Sequence, residues 1–204
     1  MQDFIKKESP IRGYTGYGGG STSLAWHTSG GGGGGGDPAD KGVHFDGSDD
    51  YLGLADHSAF DFGTGNVTFE CWFNVDTTPS DWNSIFGNFN ASEDGYWLHV
   101  GTSMQLSGGW RGADSINSSD NAVVAGRWYH VAMVRNSNTL TIYLNGISVG
   151  TPLTSIGDAT ADTQFRIASL SATYPRYFDG KISTLRVTKG QALYTANFTP
   201  STDP

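Results

Sequence analysis

Two tryptophans stand in short stretches rich in glycine, serine and asparagine, where chains usually turn. Trp82 follows Pro79-Ser80-Asp81, and Trp110 follows a pair of glycines. The face of an exposed aromatic ring can pack on a sugar ring, while amide, guanidinium and carboxylate groups bond to its hydroxyls. These residue types make a sugar site one possibility, with Trp82, Asn83, Trp110, Arg111 and Asp114 as its candidate residues. The alternative for each tryptophan is burial in the core or in a subunit contact.

The sequence contains none of the residue patterns of the catalytic sites that we considered. Glycoside hydrolysis needs two carboxyl groups about 5–10 Å apart, and none of the three glutamates (Glu8, Glu70, Glu93) lies within twenty residues of another. The sequence has no Gly-x-Ser-x-Gly elbow and no phosphate-binding Gly-Lys-Ser/Thr, and its single cysteine cannot build a cysteine-rich zinc site. We therefore predict that the protein is not an enzyme, with glycan hydrolysis as the less favoured alternative.

Two residues with reactive side chains are better explained as structural. His130 follows Trp128-Tyr129 in a strand pattern, which predicts a hydrogen-bonded structural histidine. Cys71 alternates with apolar residues, which predicts a small core residue. Neither position predicts a catalytic role.

Composition narrows the class of partner. The chain has 204 residues, with 12 basic and 20 acidic side chains and a net charge of −8. A surface this acidic repels phosphate backbones, so we expect no nucleic-acid partner. No apolar run reaches the length of a membrane span, so we expect no membrane insertion. Cys71, the one cysteine, leaves no intramolecular disulfide.

Residues 1–41 differ from the rest of the chain. They include seven consecutive glycines (30–36) and show neither helical nor strand periodicity, which predicts no regular element. One interpretation is a flexible tether. The other, which we prefer, is an assembly arm, because aromatic anchors packed against neighbouring subunits could offset the entropy lost by ordering glycines. The proposed anchors are Tyr14, Tyr17 and Trp26.

From residue 42 onward the sequence indicates short strands. In residues 67–73, Val67, Phe69, Cys71 and Phe73 alternate with other residues, so they should share one face of a strand. About a dozen such segments, separated by turn signals, predict an all-β sandwich of two antiparallel sheets. The predicted strands are residues 43–45, 51–54, 67–73, 84–88, 96–100, 104–107, 128–134, 139–144, 147–149, 164–168, 177–178 and 181–187.

Five segments, in order, carry a family resemblance. They are Phe45-Asp46-Gly47-Ser48-Asp49-Asp50-Tyr51, Phe69-Glu70-Cys71-Trp72-Phe73, Trp128-Tyr129-His130-Val131-Ala132, Leu140-Thr141-Ile142-Tyr143-Leu144-Asn145-Gly146 and a closing strand at residues 178–187. Together they resemble the laminin G-like, concanavalin A-like jelly roll. The resemblance implies a jelly-roll domain over residues 42–204, preceded by the arm.

The final segment, residues 187–200, resembles the ends of such domains in tail and structural proteins of marine bacteriophages. That resemblance implies a virion protein, homo-oligomeric and held by other virion proteins, which presents the jelly roll to host surface polysaccharide. The alternatives are a capsid or tail decoration subunit without a ligand and, less favoured, a glycan-degrading enzyme. Because one fold hosts many functions, the step from fold to function is an analogy.

The family resemblance also implies a structural calcium ion. Relatives hold calcium with acids near the first strand and with backbone carbonyls, and the matching candidates here are Asp46, Asp49 and Asp179, with Asp50 beside them. The acids common in the last strand of the family are replaced by Ser183 and Thr184. Ordinary turn aspartates are therefore the alternative.

Overall fold

The computed structural model describes residues 22–25, 42–88, 95–110, 114–160 and 164–201. These residues form thirteen strands and one short 3-10 turn, Ser58–Phe60. None of the helical structure in this part of the chain is long and apolar enough to cross a membrane. The strands are β1 (Thr22–Ala25), β2 (Val43–Asp46), β3 (Leu52–Leu54), β4 (Val67–Val75), β5 (Asn83–Gly87), β6 (Tyr96–Val100), β7 (Leu106–Trp110), β8 (Asp114–Asn117), β9 (Trp128–Asn136), β10 (Thr139–Leu144), β11 (Ile147–Leu153), β12 (Phe165–Ile167) and β13 (Asp179–Lys189).

The strands form two antiparallel sheets packed face to face. The seven-stranded sheet has the order β1-β13-β4-β9-β10-β11, and β2 also pairs with β13. The six-stranded sheet has the order β3-β12-β5-β6-β7-β8. The prediction of an all-β jelly-roll sandwich is confirmed.

The core lies between the sheets and follows the predicted alternation. Val67, Phe69, Cys71 and Phe73 of β4 are all buried in one cluster that draws on both sheets. Phe69 stacks on Phe86 of the six-stranded sheet with ring centroids 4.9 Å apart. Cys71 is a free, buried thiol whose pKa is raised by burial, as expected of a core cysteine.

The chain after β13 covers the outer face of the seven-stranded sheet. The Tyr194 hydroxyl donates to Glu70 Oε2 at 2.7 Å, and the Arg186 guanidinium bonds to Oε1 of the same carboxylate. Burial alone would raise the pKa of Glu70, but hydrogen bonds from His130, Tyr194 and Arg186 lower it overall. His130 is buried 3.5 Å from Glu70 and packs edge-on against Phe198, in agreement with a structural role.

In the seven-stranded sheet the structure corrects the predictions made for two strands, β1 and β13. Residues 1–41 were expected to lack any, but residues 22–25 form β1, which pairs with residues 186–189 of β13. A strand expected at residues 177–178 is also wrong, because the backbone becomes regular only at Asp179, where β13 begins. The predicted anchors of the arm, Tyr14, Tyr17 and Trp26, lie outside the described residues.

Candidate functional site

A pocket of about 520 Å³ opens at one end of the sandwich, where β2 and β13 of one sheet meet β5 of the other. Its volume falls in the range of small-ligand sites. The connection between β4 and β5 forms most of one wall, and the turn before β13 forms the opposite side. The lining residues are Asp46, Gly47, Thr77, Thr78, Pro79, Ser80, Asp81, Trp82, Asn83, Arg176, Tyr177 and Asp179. We call this space the rim pocket.

Two partly exposed aromatic residues, Tyr177 and Trp82, line the rim pocket, and neighbouring side chains hold the ring of Trp82 in place. The ring of His99 lies 5.6 Å from it and also stacks on Trp97 at 4.7 Å. The Arg176 guanidinium lies 6.0 Å from the centre of the Trp82 ring. Trp82 is therefore braced by neighbours while part of its surface remains open to the pocket.

His99 is buried and uncharged at neutral pH. Its Nδ1 lies 2.9 Å from the Ser84 hydroxyl. The pKa of His99 is lowered to about 3, mainly by burial and secondly by the nearby positive charge of Arg176. The wall behind Trp82 thus depends on a histidine that resists protonation.

Asp179 is fixed by contacts from the facing connection. The Thr77 hydroxyl donates to Asp179 Oδ2 at 2.7 Å. Asn83 is buried, and its amide bonds to the Asp179 backbone on both sides, accepting from the N–H at 2.8 Å and donating to the carbonyl at 3.3 Å. Asn83, predicted to contact sugar, therefore has its amide engaged in positioning Asp179, while Asp179 and Asp46 are both among the residues that line the pocket.

Three carboxylates form a cluster beside the rim pocket. Ligand oxygens of Asp46, Asp49 and Asp50 lie within 4.8 Å of one another. The pKa of Asp50 is raised, first by partial burial and then by the charge of Asp46. Carboxylate oxygens are the donors that calcium prefers, so the cluster fits that ion. Asp179, the third predicted ligand, faces Asp46 across the β2–β13 ladder, but its Oδ2 accepts from Thr77.

If calcium binds at this cluster, it should stabilise the folded protein measurably. The ion would neutralise repulsion among carboxylates and bind the folded state only, so the melting temperature should rise in calcium relative to chelator. Asp49→Asn should remove most of that rise, whereas the exposed Asp56→Asn should keep it. Differential scanning calorimetry checks this, and equal melting temperatures in millimolar calcium and in chelator would contradict the prediction.

The structure brings together only part of the predicted sugar site. Trp82 and Asn83 both line the rim pocket. Trp110 ends β7 instead of lying in a turn, so its predicted turn setting is wrong. It is only 8% exposed, and its indole N–H donates to the Asp158 carbonyl at 3.1 Å. Asp114 begins β8 opposite Trp110, and Arg111 lies outside the described residues. Sequence reasoning missed Arg176, which the fold brings in from far along the chain.

A sandwich of two antiparallel sheets with a half-exposed tryptophan in a polar rim pocket defines a lectin-like β-sandwich domain. The chain belongs to the Concanavalin A-like lectin/glucanases superfamily, because the laminin G-type family model matches residues 46–194, more than two thirds of its length. No curated protein sequence matches it.

Solved structures share this fold at low sequence identity. The carbohydrate-binding module CBM40 of Ruminococcus gnavus IT-sialidase, bound to α2,3-sialyllactose, is 12% identical with a TM-score of 0.56, covering 76% of this chain and 92% of its own. A putative carbohydrate-binding protein from Bacteroides ovatus is 23% identical with a TM-score of 0.56, covering 71% of this chain and 42% of its own. Domain 4 of an arabinanase from Geobacillus stearothermophilus, in complex with arabinotriose, is 17% identical with a TM-score of 0.52, covering 85% and 84%.

Proposed function

We propose that this protein binds glycans in the rim pocket without cleaving them. The observation that carries the proposal is the half-exposed Trp82 in a pocket of about 520 Å³ whose other walls supply hydroxyl, guanidinium and carboxylate groups. An aromatic face with polar groups around it is how proteins bind sugar rings. The carbohydrate-binding structural neighbours support the same function through their shared fold.

In this proposal each rim-pocket group has a distinct role. Trp82 packs on a sugar ring and excludes water from one of its faces. The carboxylates of Asp46 and Asp179 accept hydrogen bonds from sugar hydroxyls, and Arg176 donates to ring or hydroxyl oxygens. Asn83 positions Asp179 through its two backbone hydrogen bonds and does not contact sugar itself. Because the pocket is preformed, little ordering energy is lost on binding.

A glycan array with the multimerised full-length protein tests this function, followed by measurement of released reducing sugar from any bound glycan. We expect selective binding with no release. Binding to no glycan at high valency would instead favour a decoration subunit without a ligand. Release of sugar that is lost on substitution of a rim-pocket aspartate would favour the glycan-degrading enzyme.

We further propose that the protein is a component of a bacteriophage virion, where it forms a homo-oligomer among other virion proteins. In that position its jelly roll would face host surface polysaccharide. The support is the resemblance of residues 187–200 to the ends of such domains in marine phage proteins. Many copies would convert weak single sites into strong attachment through avidity. Residues 1–41 would dock the protein into the particle.

Particle incorporation tests this setting. Purified virions should contain the protein by mass spectrometry, and antibody labelling should find it on their surface. A protein lacking residues 1–41 should lose incorporation, whereas the substitution Tyr174→Ala, at an exposed residue of the jelly roll, should keep it. Full occupancy by the shortened protein would contradict the assembly arm.

A further inference from the structure

We infer that the rim pocket selects neutral glycans over anionic ones that carry sialic or uronic acids. This inference rests on the proposed function and specifies its ligand. It follows from the charges that line and surround the pocket.

Carboxylates outnumber cations in the lining of the rim pocket. Asp46, Asp81 and Asp179 contribute three formal negative charges, and Arg176 contributes one positive charge. The lining therefore carries a net charge of −2 from these groups, on a protein whose total is −8. A ligand carboxylate entering this space would meet like charges on several sides, which opposes binding and slows encounter.

The surroundings of the rim pocket strengthen the same field. Asp49 and Asp50 have carboxylate oxygens within 4.8 Å of Asp46 and extend the negative surface beyond the lining. With no cation bound at this cluster, the negative potential therefore continues beyond the lining.

Arg176 is the one cationic residue among those that line the rim pocket, so it is the group that would pair with an anionic sugar. Its guanidinium lies over Trp82 and close enough to His99 to lower the pKa of that histidine. A ligand carboxylate paired with it would share the same small space with the three aspartates, so one attraction would be opposed by several repulsions. Neutral hydroxyls can use Arg176 as a donor and the aspartates as acceptors without this conflict.

The charge distribution argues against inferring that this pocket binds the same ligand as a structural neighbour. The Ruminococcus gnavus module is bound to sialyllactose, an anionic sugar. At 12% identity that likeness shows the fold alone. The acidic lining here favours hydroxyl-rich neutral rings instead.

Paired glycans that differ only by a terminal acid provide the test, measured by calorimetric titration of the full-length protein in chelator. Lactose-type and arabinan probes would be compared with sialylated and uronate counterparts at about 50 mM and about 500 mM salt. We expect the neutral member to bind at least about fivefold more tightly at low salt, with a smaller ratio at high salt. Asp81→Asn should improve binding of the anionic member about threefold, whereas Asp56→Asn, outside the lining, should not.

The outcomes separate the two proposals. Equal or tighter binding of the anionic member would overturn the charge selection and leave glycan binding intact. Binding of neither class would overturn the proposed function and this inference together. Neutral preference that does not change with salt or with Asp81→Asn would show that shape, not charge, sets the selection, and would also overturn the inference.

Discussion

Replacing Arg135 with alanine is expected to lower the free energy of unfolding by about 3–5 kcal/mol. Arg135 is a fully buried side chain at the end of β9. Its guanidinium donates to the carbonyls of Ser137 and Gly63 at 2.8 Å each and to the Tyr96 hydroxyl at 3.1 Å. A fourth bond reaches the Ile156 carbonyl at 3.3 Å. One side chain thus bonds to three loops, those between β3 and β4, β9 and β10, and β11 and β12, and also to β6 of the six-stranded sheet.

The size of the effect follows from what alanine would leave behind. The substitution opens a cavity in the core and leaves the buried Tyr96 hydroxyl and Ile156 carbonyl oxygens without this donor, and each such oxygen costs about 1–3 kcal/mol. Arg135→Lys keeps the charge but cannot donate in three directions from one plane, so we expect an intermediate loss. Chemical denaturation followed by circular dichroism measures both variants. The exposed Arg127→Ala is the matched control and should change stability by less than about 0.5 kcal/mol. A similarly small change in Arg135→Ala would contradict the role assigned here.

Acidification from pH 7 to pH 5 is expected to cost the wild-type protein about 2 kcal/mol through His99 alone. In the folded state the pKa of His99 is lowered to about 3, whereas in the unfolded chain it returns to about 6.5. Between these values the unfolded state binds a proton that the folded state rejects, so stability rises with pH and falls on acidification. The measured part of this range, from pH 7 to pH 5, lies above the usual pKa values of carboxyl groups, which separates the effect from acid titration of aspartates.

Urea denaturation at pH 7, 6 and 5 measures how the free energy of unfolding depends on pH. His99→Gln keeps a polar group near Ser84 but cannot take up a proton, so its stability should depend much less on pH. His44→Gln, at an exposed histidine, should retain most of the wild-type dependence. An unchanged slope in His99→Gln would show that another group is responsible.

The fold could be predicted because its apolar alternation is strong where the core is formed. β7 illustrates where that signal fails. Its prediction at residues 104–107 is displaced from the observed Leu106–Trp110, because Gly108 and Gly109 indicate a turn in sequence. In the structure a side-chain carbon at Gly108 would lie 2.7 Å from the ends of the Leu98 and Met133 side chains, which would have to shift, so glycine is the residue that leaves this core packing unchanged. The same pair of glycines made Trp110 look exposed.

The rim pocket could be predicted only in part, for a related reason. Trp82 and Asn83 are neighbours in sequence, and their turn setting identified them. Arg176 and Asp179 lie far from Trp82 in the sequence. They come close to it in the fold because β13 pairs with β2 beside the β4–β5 connection. Sequence patterns describe local geometry, and the register that joins these distant segments is set by packing of the sheets. β8, with Ile116 as its single buried apolar residue, was missed because it shows too little alternation.

The most direct test of the account is the affinity of Trp82→Ala for the glycan that the wild-type protein binds most tightly. We predict a loss of at least about tenfold, because the variant removes the aromatic face on which the sugar packs. Tyr174→Ala removes a more exposed ring, 55% accessible and outside the pocket lining, and should bind as the wild type does. Both variants should keep the wild-type circular dichroism spectrum. Wild-type affinity in Trp82→Ala, or a comparable loss in Tyr174→Ala, would contradict glycan binding in the rim pocket.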